Sequence, residues 1–178
     1  MKKFRLPLVL FWLGSALVAN AGELPPLNPH LEPLRPLLEK TWKGTFTNSK
    51  PDKPAVDVVR WERALNGQAV RRIHSVNDGA YGSEALLFWN EQQKLISFYY
   101  FTTAGFMTVG TLESKEGKFI THEDVKDGGD GITEVRSISE FQPDGEFHVK
   151  AEYLKNGQWA PGREITYQEA PASKVVFK

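Results

Sequence analysis

The chain has no cysteine among its 178 residues. That removes disulfides, thiol redox chemistry and cysteine-type metal sites together. It also lacks a charge excess, with 22 Lys and Arg against 22 Asp and Glu. A general nucleic-acid binder carries a basic face or stripe, so that partner class is not expected. No apolar run reaches the roughly 20 residues of a membrane-crossing helix, so no transmembrane segment is expected. The common enzyme signatures are missing too: no G-x-S-x-G, no P-loop, no G-x-G-x-x-G. A packed core must therefore hold the fold unaided, and no motif announces a catalytic centre.

What is present begins at the N-terminus. Lys2, Lys3 and Arg5 precede an apolar run from Leu6 to Val18, and Ala19-Asn20-Ala21 has the A-x-A form of a cleavage site. Residues 1–21 read as a secretory signal peptide. The expectation is an exported protein, periplasmic or secreted, cleaved near Ala21. No Cys follows that site, so no lipid anchor is expected. Loss of three cations leaves 22 − 3 = 19 against 22 acids, a net charge near −3. The remaining 178 − 21 = 157 residues suit one domain on a prior of roughly 150.

Residues 22–40 hold Pro25, Pro26, Pro29, Pro33 and Pro36. They read as an extended surface arm with a short helical turn over 34–40, where Leu34, Leu37 and Leu38 share a face. From there the chain has strand character. Ten strands are predicted, over 41–47, 55–65, 68–76, 81–89, 94–103, 106–113, 118–126, 132–141, 146–154 and 158–168. Asn66-Gly67, Asp78-Gly79, Ala104-Gly105, Glu116-Gly117, Asp144-Gly145 and Asn156-Gly157 are hairpin chemistry between them, since these residues tolerate positive φ. No crossover helix intervenes, so neighbours are antiparallel. An all-β, up-and-down barrel spanning 41–169 is the expected fold, because closure removes both edges of such a meander. Residues 170–178 form a tail.

Alternation picks the inner face. Phe147, Val149, Ala151 and Tyr153 point one way against His148, Lys150 and Glu152. Val135, Ser137, Ser139 and Phe141 form a second inward set. Trp159, Ile165 and Tyr167 share a face with Arg163. Residues 94–103 are apolar on both faces, Ile96, Phe98 and Tyr100 against Leu95, Tyr99 and Phe101; the arm is expected to cover the outer one. A ten-strand barrel is wider than the eight-strand kind that already holds a small ligand. An interior mixing aromatics with polar groups suits a binding cavity.

The run Thr41-Trp42-Lys43-Gly44-Thr45-Phe46 resembles the first-strand Gly-x-Trp signature of calycin barrels: lipocalins, fatty-acid-binding proteins and nitrobindin-like barrels. Trp61-Glu62-Arg63-Ala64-Leu65-Asn66-Gly67-Gln68, Phe88-Trp89-Asn90, Tyr99-Tyr100-Phe101-Thr102 and Gly105-Phe106 resemble a family of secreted bacterial lipocalin-like domains of unknown function. The likeness implies a calycin barrel and a small apolar ligand. In many calycins an Arg near the chain's end covers the first-strand Trp; the matching pair here is Trp42 and Arg163, both structural. In nitrobindin-like barrels a His holds haem iron. The candidate for that role is His74, but an ordinary bonded His is preferred, and no cofactor is expected.

Two further motifs carry little. His122-Glu123-Asp124-Val125-Lys126 begins like a zincin helix without its second His. Asp127–Gly131 resembles a calcium loop without the closing Glu, and a hairpin is preferred. Arg71, Arg72 and His74 are the densest cationic group on any strand. Pointing inward, Arg72 and His74 could orient a carboxylate; pointing outward, they form a solvated face paired with Glu62 and similar acids, which is the favoured reading because charges are rarely buried unpartnered. The candidate ligand contacts are Trp61, Arg72, His74, Phe98, Tyr100, Phe141, Tyr153 and Tyr167. The leading functional reading is a non-catalytic barrel for a small, mostly apolar molecule, with an anionic, lipid-like one among the options. The alternatives are acid–base enzymology at the barrel mouth and a filled barrel that works through its surface.

Overall fold

A computed structural model describes residues 24–126 and 131–178. The signal-peptide expectation and most of the Asp127–Gly131 turn lie outside those residues. The strands are β1 (Lys40–Phe46), β2 (Val56–Ala64), β3 (Ala69–Val76), β4 (Tyr81–Asn90), β5 (Leu95–Thr102), β6 (Met107–Lys115), β7 (Lys118–Asp124), β8 (Ile132–Phe141), β9 (Phe147–Lys155) and β10 (Gln158–Glu169). Each pairs antiparallel with its neighbour in sequence, and β1 closes on β10, Trp42 opposite Glu169 and Phe46 opposite Ile165. The barrel is all-β and up-and-down, as the hairpin signals require. Glu116 and Gly117, at φ 53° and 77°, show the turn geometry directly: both central residues are left-handed, which matches strand twist.

One interior position depends on glycine. Gly110 pairs with Phe98, and a Cβ there would lie 2.3 Å from the Phe98 ring. The missing side chain gives that ring its place in the core.

The Pro-rich arm departs from the expected surface role. Residues Pro29–Leu37 form a 3-10 helix, capped by the Asn28 side chain, which accepts from the His30 N–H at 3.0 Å. Pro33 and Pro36 have no N–H to give an α-helix. With three residues per turn, Leu31, Leu34 and Leu37 align on one face, and Leu38, the extended residue that ends the helix, is buried with them. The three aligned leucines are essentially fully buried. The helix plugs one end of the barrel. The outer face of β5 is left open instead, with Tyr99 and Phe101 about half exposed. Gly67, at φ +82°, holds the plug in register: the Asn28 N–H donates to its carbonyl, and a Cβ would strike the Pro26 carbonyl at 2.1 Å.

Alternation fails on β10 at one place. Between Pro161 and Glu164 the register against β9 slips by a residue. A bulge of this kind reverses the facing of what lies beyond it. Trp159 therefore sits outside, under the Arg136 guanidinium at 4.2 Å, while Arg163, Ile165 and Tyr167 face in.

Candidate functional site

The barrel encloses a cavity of about 140 Å³. At the plugged end its wall is apolar: Leu34 and Leu37 from the helix, then Val59, Trp61, Leu87 and Phe98 from the strands. Toward the other end Asp57, Arg72, His74, Tyr100, Glu123, Arg163 and Tyr167 join the wall.

The polar groups form one connected chain. Asp57 on β2 and His74 on β3 are both buried, and His74 Nδ1 lies 2.8 Å from Asp57 Oδ1. The Tyr167 hydroxyl donates to the other carboxylate oxygen at 2.5 Å. His74 Nε2 lies 3.1 Å from the Tyr100 hydroxyl, which lies 3.0 Å from that of Tyr81. Burial pushes the His74 pKa down, against the pull of Asp57, and the imidazole is neutral. Burial would raise the Asp57 carboxyl, but the bonds from His74 and Tyr167 hold it below the usual range. Nδ1–H therefore donates to Asp57, and Nε2 accepts from Tyr100. Burial raises the Tyr81 and Tyr167 phenols, so both keep their protons.

Two cations face this chain without an acid within ion-pair distance among the described residues. Arg71 and Arg72 show what alternation does to neighbours. Arg71 points outward and is clamped by Glu62 at 2.8 Å and Glu84 at 2.7 Å. Arg72 points inward, with its guanidinium 5.7 Å from the Trp61 ring centre. The solvated-face reading of Arg72 and His74 is thus corrected: strand parity puts them inside, and the outer acids serve Arg71. Arg163 stands over Phe46 at 5.9 Å, among Tyr81, Tyr100, Tyr153 and Tyr167. Protein surrounds it, yet its surface is open to water, and that openness is what a ligand would meet. Glu123 accepts from the Thr108 hydroxyl at 2.7 Å.

The expected pairing of Arg163 with Trp42 is not found. Trp42 pairs with Glu169, six positions along β10 from Arg163 (169 − 163), so closure sets the two at opposite ends. Lys40 covers the Trp42 ring instead, at 5.5 Å, and the indole N–H reaches the Leu37 carbonyl at 3.4 Å. Of the proposed ligand contacts, Trp61, Arg72, His74, Phe98, Tyr100 and Tyr167 line the cavity. Phe141 does not; it packs on Trp42 and Phe147 near the plug. Tyr153 is not part of the lining either, and lies beside the Gly162 bulge. His30 stacks on Trp89 at 3.7 Å, while His122 and His148 sit on the surface beside Glu134 and Glu146. His74 faces inward, but both its nitrogens are engaged, and the site as built does not fit an iron ligand.

Sequence reasoning missed Asp57 and Tyr81. Asp57 was visible as the one acid in the inward set Asp57, Val59, Trp61 of β2.

No family model matches this chain, and no curated protein matches it. Among solved structures, the crystal structure of Rv2717c from M. tuberculosis is similar, with a TM-score of 0.58 and 15% identity over 82% of this chain and 99% of that one. At that identity the likeness concerns the fold alone.

Proposed function

We propose that this protein is an exported lipocalin-like barrel that binds a small, mostly apolar molecule carrying one anionic group. The observation that carries this reading is the pair Arg72 and Arg163: two guanidiniums, neither held by an acid among the described residues, open onto a cavity whose far wall is apolar. Arg72 is half-buried and Arg163 is open to water at the cavity, so both guanidiniums can meet an anion there without rearranging the wall. Glu123 is occupied by Thr108 and Asp57 by its two donors, so a ligand anion is the natural partner. A planar guanidinium suits a carboxylate in particular. Size limits the apolar part. A cavity near 150 Å³ takes a benzene ring, so about 140 Å³ fits a single ring or short branched chain, not a long acyl tail.

Benzoate and benzamide share shape and differ in charge. Trp61 lines the cavity and its fluorescence reports occupancy. Titration of the pure protein should show saturable quenching with benzoate and at least tenfold weaker binding of benzamide. Equal affinity for the two, or no binding of either, would remove the anion reading.

A further inference from the structure

The hydrogen-bond chain at the cavity wall has a direction, and that direction can be reversed. With His74 neutral, Tyr81 donates to Tyr100, Tyr100 donates to Nε2, and Nδ1–H donates to Asp57. Every phenol hydrogen of the chain is then spent inside the protein. Neither Tyr81 nor Tyr100 offers a donor to the cavity. Add a proton to Nε2 and the first link must invert, because Nε2–H can only donate. Tyr100 becomes its acceptor, and the Tyr100 O–H has to find a new partner. It can point into the cavity, which Tyr100 lines, or turn to Tyr81 and displace that hydroxyl's hydrogen. Either way one phenol O–H is left without a protein acceptor, beside two guanidiniums.

We propose that protonation of His74 reverses this chain and completes the anion site with a phenol donor, so that carboxylate binding takes up one proton. The inference rests on the anion reading of the same cavity and adds its regulation. The groups that face His74 make the linkage two-sided. Asp57 on β2 accepts from Nδ1 and favours the added charge. Arg72 on its own strand and Arg163 on β10 oppose it. Tyr81 on β4, Tyr100 on β5 and Tyr167 on β10 surround it as neutral donors, and Glu123 on β7 lies farther off, near Tyr81. A carboxylate seated between the guanidiniums neutralises the two groups that oppose the proton. The anion and the proton thus each make room for the other, and by linkage each raises the other's affinity equally.

The measurement is calorimetric titration of wild-type protein with benzoate from pH 5.5 to 8.5, in buffers of different protonation enthalpy. A carboxylate is already ionised throughout that range. The expected result is proton uptake on benzoate binding, largest between the lowered pKa of free His74 and its raised value in the complex, with Kd weakening as pH rises through that window. Tyr100→Phe should bind more weakly at pH 6 and lose part of that slope, the part carried by neutralisation of the guanidiniums remaining, while Tyr81→Phe keeps it, since Tyr100 then turns its hydrogen to the cavity directly. Benzoate binding with constant affinity and no proton uptake overturns this inference and leaves the anion reading standing. A Tyr100→Phe variant with the full wild-type slope overturns the role of Tyr100. No benzoate binding at any pH overturns both.

Discussion

The two ends of the barrel interior solve the problem of burial in opposite ways. At the plugged end Leu31, Leu34 and Leu37 meet Trp42, Phe141 and Phe147, and only shape has to match. Each side chain contributes through area removed from water, about 25 cal/mol per Å². At the open end Asp57, His74, Tyr100 and Tyr167 are buried polar groups that, with the half-buried Tyr81, must satisfy one another. Such a network is stable only while complete, because each lost partner leaves a desolvated group behind. The apolar end should therefore carry stability, and the polar end should carry dependence on pH and on ligands. The difference is one of tolerance. The first end accepts an isosteric change; the second accepts almost none, and it is where the protein can respond to solution.

The largest effect is expected at the plug. Leu34 is fully buried on a helix that seals the barrel. Leu34→Ala should cost about 3 kcal/mol, the middle of the range for buried Leu truncation. Urea unfolding at pH 7 checks it. A loss under about 1 kcal/mol would mean that the helix is an appendage, and the contrast between the ends would fail.

At the polar end, Asp57→Asn should cost about 2 kcal/mol at pH 7, because a carboxylate with two donors is replaced by an amide that cannot accept as strongly from both. Acid should act there as well. The His74 pKa is lowered in the fold, so the unfolded chain binds the extra proton first. The stability that His74 contributes is complete above the unfolded value of about 6.5 and falls as pH drops below it. Asp57, also lowered, adds a second loss below the unfolded carboxylate value of about 3.9. The urea midpoint of wild type should decline from pH 7 to 5, and that of His74→Gln should decline less. Parallel curves would show that His74 is not the group that titrates.

The same contrast explains what could be read before the fold was known. Ten strands and their turns were legible because alternation and Asn-Gly or Asp-Gly turns are local. Phe147, Val149 and Ala151 face inward as their spacing says. The plug was half legible: Leu34, Leu37 and Leu38 are buried as expected, but Pro33 and Pro36 change the period from 3.6 to 3 and add Leu31 to the buried set. Trp159 was misplaced by a bulge with no unambiguous sequence mark. The polar site was half legible. Arg72, His74, Tyr100 and Tyr167 were visible as candidates, but the partner acid Asp57 lies 17 residues from His74 and 110 from Tyr167. Only barrel closure brings β10 to β1 and so past β2, and a contact made by closure has no local signature.

The smallest effect on stability, and the sharpest test of the comparison, is expected at Arg163. It faces the cavity, has no ion-pair partner among the described residues, and is open to water. Its ring contact is with Phe46 at 5.9 Å, the weak limit of cation–π attraction. Among the described residues, removing the charge leaves no acid stranded, and it relieves repulsion on His74. Arg163→Gln should therefore move unfolding by less than about 0.5 kcal/mol, within the range of ordinary surface substitutions. Benzoate binding should weaken by tenfold or more, since one of two guanidiniums facing the anion is gone. A residue that holds the fold would show the reverse: a large shift in unfolding with affinity little changed in the protein that remains folded. Measured side by side, the urea midpoint and the benzoate Kd of this one variant separate a cation kept for a ligand from one kept for the barrel.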